Sequence, residues 1–162
     1  RDVVTILDLA NVSICDNWGF YPVTREEARA MARDLKQIIN PGGVLIAETA
    51  EGKPVGFAMT LPDINVILKG LNGRLLPFGW LKMLTGLPRL NQYRMWALGV
   101  IPEFQGKAID TLLYRATYDN LYTDQIRLEI NYVLEDNDRM NNALYKLGVK
   151  NLRRYRVYEM EI

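Results

Sequence analysis

The stretch GVIPEFQGKAID, residues 99–110, joins two different hydrophobic patterns. A strand-like apolar run ends at Val100 and Ile101, and a helical pattern opens at Ile109 or Asp110. Pro102, Gly106 and Ala108 occupy the turn between them. The start of a helix leaves backbone N–H groups unpaired, and its dipole favours negative charge. A tight turn in front adds inward-aimed N–H groups, so the two together hold phosphate. Gly106 supplies the positive φ or close approach that such a turn needs. From these residues alone two readings stand: an anion site, or a plain connection.

Acid–base chemistry has fewer candidates. QIRLEINYVL alternates, with Ile126, Leu128, Ile130, Tyr132 and Leu134 on one face and Arg127, Glu129 and Asn131 on the other. A carboxylate on the face of a central strand either lines a cavity or is paired. Glu129 is therefore either a general base or the ion partner of Arg127, and Asn131 shares its face as a substrate contact. Glu48 is a weaker candidate base. Cys15, the single cysteine, has no base pattern around it and reads as a small packing hydrophobe. RRYR, residues 153–156, reads either as a solvated strand edge or as a site for a phosphate or an acidic partner. The chain has no histidine, which removes Ser-His and Cys-His arrangements and the commonest metal ligand. No acidic cluster has calcium-loop spacing. The reading is of a site without metal.

The elements that must position these residues follow from periodicity. Val3, Ile6, Leu7, Ala10 and Ile14 have helical spacing. Thr24 with Glu27 reads as a capping box that opens a second helix, running to about Ile39 before NPGG. VLIAETA and PVGFAMTLPD are strands joined by a short turn at EGK. Residues 64–92 form an apolar insert split by Gly and Pro. YRMWALGVI is an apolar, central strand. Helices follow over IDTLLYRATYDNLY and NDRMNNALYKLG, the second closed by Gly148, and LRRYRVYEMEI reads as a final strand. Hairpin and crossover connections together imply a mixed sheet with helices on its faces.

The turn, the helix after it and the segment NDRMNNALYKLG resemble the GCN5-related N-acetyltransferase superfamily. Its acyl-CoA loop reads [Q/R]-x-x-G-x-[G/A], matched here by Gln105, Gly106, Lys107, Ala108, Ile109 and Asp110. Element order agrees from the first helix to the last strand, while the family's first strand would precede Arg1. More closely, the chain resembles the C-terminal acetyltransferase-like part of longer bacterial proteins, with Glu135, Asp136 and Asn137 matching a Glu-Asp-Asn segment. The resemblance implies an α/β (mixed α+β) three-layer domain with a mixed, mostly antiparallel sheet. It implies acetyl-CoA or another acyl-CoA as cosubstrate and direct acyl transfer to a small-molecule or peptide amine. Backbone groups of Leu98, Gly99 and Val100 would pair with the pantetheine arm, and an N–H there would stabilise the oxyanion. N–H groups from Gln105 to Asp110 would cradle the pyrophosphate, and Asn137 would contact the pantetheine. Two residues depart from the pattern. Ala108 stands where Gly is usual, costing roughly 1–2 kcal/mol if left-handed. Asp110 stands where a small residue is usual; its carboxylate would repel a pyrophosphate unless it turns away to cap its own helix, which is the expectation. The family's acid is a Tyr four residues before the terminal Gly. That position is Leu144, so Tyr145, about 100° further round the helix, becomes the candidate acid, with amphipathic packing as its alternative.

The insert, with Phe78, Trp80, Leu81, Met83 and Leu84, reads as a lid over the acceptor, with Trp80 a substrate contact. It reads equally as an interface in a homodimer or with the N-terminal part of a longer chain. At 162 residues the chain is one domain, 1–162. A net charge of +1 points to neither nucleic acid nor membrane. One cysteine, no visible signal peptide and no long apolar run point to the cytoplasm. A non-catalytic domain that binds acyl-CoA or supports a partner is the rival to the enzyme.

Overall fold

The structure, a computed structural model, describes residues 2–17, 19–72, 74–131 and 133–160. In chain order the elements are α1 (Asp2–Ser13), α2 (Arg25–Leu35), β1 (Val44–Glu48), β2 (Pro54–Pro62), α3 (Asn65–Lys69), α4 (Gly79–Gly86), β3 (Gln92–Val100), α5 (Ile109–Leu121), β4 (Arg127–Ile130) and α6 (Asp138–Lys146). Local chemistry sets several boundaries. The Thr24 Oγ1 accepts from the Glu27 N–H and the Glu27 carboxylate accepts from the Thr24 N–H, which is the expected capping box of α2. Gly52, at φ +80°, turns the hairpin between β1 and β2, with the Thr49 N–H donating to the Lys53 carbonyl at 2.9 Å.

The sheet runs β1-β2-β3-β4. β1/β2 and β2/β3 are antiparallel and β3/β4 are parallel, joined through α5. A Cβ on Gly99 would strike Ser13 of α1, whereas one on Gly56 would meet Ile109 of α5. Gly99 faces Phe57 across the ladder and Gly56 precedes Phe57, so α1 and α5 cover opposite faces of the sheet. That is the three-layer arrangement expected from the sequence. Val55, Phe57, Ala58 and Met95 from the sheet and Leu113, Tyr114 and Leu121 from α5 are buried.

The chain divides into two compact units, Arg1–Tyr132 and Val133–Ile162. In the second, α6 is capped by Asn137, whose Oδ1 accepts from the Met140 N–H at 3.1 Å. It ends in a left-handed Gly148, at φ +73°.

Two strand expectations need correction. β4 ends at Ile130, not Leu134, because its ladder with β3 stops at Met95↔Ile130; Tyr132 lies outside the described residues. Residues 151–160 are exposed and form no strand. Alternation marks which side chains share a face, but a strand also needs a neighbouring edge to bond to. Glu161 and Ile162 lie outside the described residues.

Candidate acyl-CoA site

β3 is paired with β2 along most of its length but with β4 only over Gln92–Met95. Beyond that point, among the described residues, no strand lies against the second edge of Trp96–Val100. The Ile101 N–H donates to Val55 across the β2 side at 3.0 Å. Alternation then turns the N–H and C=O groups of Leu98 and Val100 toward the open edge. The Val100 carbonyl there already accepts from Gln105 Nε2 at 3.1 Å. The Leu98 groups and the Val100 N–H are those left to pair with an extended ligand. Gly99 faces the other way into the ladder, and its lack of a side chain lets α1 approach β3.

The open edge leads into the turn. Gly106 is at φ +75° and Ala108 at φ +60°, so both small residues take left-handed backbone. Among the described residues the N–H groups of Gly106 through Thr111 make no backbone hydrogen bond; the first in α5 runs from Leu112 to Ala108 at 3.0 Å. A Cβ on Gly106 would meet nothing within 4 Å, so the turn is open at that residue. Lys107 Nζ sits 4.4 Å from the Phe104 ring centroid, and Lys53 Nζ 5.6 Å from it. The Lys107 ammonium therefore flanks the turn, while that of Lys53 is paired with Glu103 at 3.4 Å. The geometry fits a phosphate group.

Two details of the turn differ from expectation. The Gln105 N–H is not a free donor, because it is bonded to the Pro102 carbonyl at 3.2 Å. Asp110 does not cap α5: the cap position is Ala108, with no side-chain hydrogen bond, and Asp110 falls inside the first turn. Its carboxylate acts instead on Tyr114. Burial, and then the Asp110 charge, push the Tyr114 phenol up to about 12. The buried Tyr114 hydroxyl has no hydrogen-bond partner among the described residues.

Glu129 lies in the paired part of β4, directly across from Arg94. Arg94 Nη2 is 3.2 Å from Glu129 Oε2, and Arg94 Nε is 3.4 Å from Asp63 Oδ2. The expected partner was Arg127; the observed one is Arg94, the neighbour across the ladder. Arg94 and Asp63 were not among the sequence candidates, and only the strand register reveals them. Asn131 follows β4, and its N–H donates to the Met95 carbonyl at 3.4 Å. Trp80, in α4, is half exposed, and its Nε1 donates to the Pro77 carbonyl at 2.9 Å.

In the second unit, Asn137 caps α6, and Tyr145 is 84% exposed while Leu144 is buried. Arg154 and Arg156 reach Glu135 at 3.4 and 3.5 Å, so part of the RRYR run is paired within its own unit. Cys15 is exposed rather than packed, because it falls just past the end of α1.

The chain has the fold of the GCN5-related N-acetyltransferases. The solved structure of AAC(6')-Iy in complex with the bisubstrate analogue CoA-S-monomethyl-acetylneamine superposes with a TM-score of 0.62 at 16% identity, covering 99% of this chain and 92% of that one. In sequence, the chain is 34% identical over 166 residues to the bacterial ceramide synthase of Caulobacter vibrioides, covering 98% of this chain and 43% of that protein. It is 38% identical over 153 residues to protein YghO of Escherichia coli, covering 90% of this chain and 39% of that protein. The chain thus spans about two fifths of the length of the curated relatives it matches. No protein-family model matches the chain.

Proposed function

We propose that the chain binds an acyl-CoA and transfers its acyl group to an amine by direct attack, with a long-chain amino alcohol as the acceptor class. The observation that carries this reading is the open edge of β3 running into a turn with unspent N–H groups. The similarity to a protein named as a ceramide synthase supports the acceptor class, since a ceramide is an amide of a long-chain amino alcohol.

Bound acyl-CoA supplies a thioester carbonyl to the amine. Leu98 and the Val100 N–H hold the pantetheine arm as a further strand would. The N–H groups of Gly106 to Asp110 hold the pyrophosphate, with Lys107 adding positive charge nearby. Glu129 takes the proton from the acceptor, through water, while Arg94 and Asp63 fix its position. The resemblance gives Tyr145 the role of returning a proton to the departing sulfur. The resemblance gives Asn137 the pantetheine as its contact, and Asn131 and Trp80 contact the acceptor.

The ion pair between Glu129 and Arg94 is the observation that favours the rival, a domain that binds acyl-CoA without catalysis. Thiol release from palmitoyl-CoA and from acetyl-CoA, with sphinganine as acceptor, separates the two. The enzyme reading expects turnover, with Glu129→Gln and Tyr145→Phe each lowering kcat about 100-fold without changing the melting temperature. Binding without turnover establishes the rival. Turnover unchanged in both variants would remove these two residues from the mechanism.

A further inference from the structure

Residues 64–90, between β2 and β3, contain Lys69, Arg74, Lys82 and Arg89 and no acidic residue. The whole chain carries 20 basic and 19 acidic side chains, so its net charge hides this concentration. Several apolar side chains of the same segment face outward. Leu76 is 78% exposed, Phe78 75%, Leu84 60% and Trp80 50%. These residues belong to a folded piece: Gly86 of α4 lies against Ile67 of α3, and Lys82 Nζ donates to the Gly70 carbonyl at 3.4 Å. Beside it opens a cleft of about 550 Å³, walled by Leu68, Leu71 and Leu75 and edged by Asn65, Lys69 and Arg74.

An exposed patch this rich in Leu, Phe and Trp marks a contact surface. The absence of acid selects the partner. A second copy packed face to face would set four cations against four, and like charges across an interface are costly. Apolar and aromatic side chains interleaved with Lys and Arg, without Asp or Glu, suit the boundary between anionic headgroups and acyl chains. We propose that residues 64–90 dock the protein on an anionic bilayer. Lys69 and Arg74 meet lipid phosphates, and Leu76, Phe78 and Leu84 enter the acyl boundary. Net charge alone pointed away from a membrane because it averages over this segment. The inference does not rest on acyl transfer.

Flotation of the chain with phosphatidylcholine vesicles, with and without a third of phosphatidylglycerol, tests it. The chain is expected to float with the anionic vesicles at low salt and to leave them at high salt. Lys69→Gln with Arg74→Gln is expected to weaken partition about fivefold for each charge removed. Leu76→Ser with Phe78→Ser is expected to abolish flotation. Both side chains are exposed, so the melting temperature should hold. Three results would overturn the proposal: no partition onto anionic vesicles, equal partition by wild type and variants, or a wild-type dimer in light scattering that Leu76→Ser with Phe78→Ser dissolves.

Discussion

Tyr114 ties the chemistry of the turn to the stability of the chain. Its phenol is held up at about 12, first by burial and then by Asp110, against an ordinary value of 10.0. The folded state therefore keeps a proton that the unfolded state loses first. Stability should be level below the ordinary value and fall as pH climbs toward the folded one, by at most about 1.4 kcal/mol for each pH unit. Tyr114→Phe should remove that alkaline fall. Near neutrality it should cost less than about 1 kcal/mol, because the hydroxyl it deletes has no partner. Urea titrations of both proteins at about pH 8 and about pH 11 check this; parallel losses would mean another group titrates. At this scale the sequence marked candidate residues for chemistry but not which ones meet. Glu129 stood out by its place on an alternating strand. Arg94 did not, because its place opposite Glu129 depends on the parallel register, which no local pattern encodes.

The turn between β3 and α5 was legible from its small residues, and the structure adds its backbone. Ala108 is at φ +60° and ψ +19°, where a Cβ is strained. Ala108→Gly should relieve that strain and stabilise the chain by about 1 kcal/mol, raising Tm by roughly 2–4 °C. Scanning calorimetry reads it; a fall in Tm would mean that the glycine's added freedom in the unfolded chain outweighs the strain. Helix starts were equally legible where side chains announce them, as Thr24 and Glu27 do. Strand ends were not. β4 stops where its ladder stops, and residues 151–160 alternate without pairing. Periodicity is local, whereas pairing is decided by the rest of the sheet.

For the whole molecule, the order of elements carried the architecture. The hairpin, the insert and the strand-helix-strand crossover appear in the expected sequence, and α1 and α5 lie on opposite faces as a three-layer domain requires. Bulk charge was a poorer guide, because a net value of +1 contains a segment of four cations and no anion. Among the described residues no helix is long and apolar enough to cross a membrane.

The central claim is that the open edge of β3 and the turn after it hold acyl-CoA. Calorimetric titration of acetyl-CoA into the wild type, Gly106→Asn and Gly106→Asp tests it most directly. Gly106 has a left-handed backbone with open space before it, and both short polar side chains tolerate that conformation. Asn changes the shape of the turn without changing its charge, while Asp places a carboxylate beside the phosphates. The account predicts micromolar binding by the wild type, a loss of less than about threefold in the Asn variant and of about tenfold or more in the Asp variant, with all three melting alike. No heat from the folded wild type, or equal binding by the Asn and Asp variants, would contradict it.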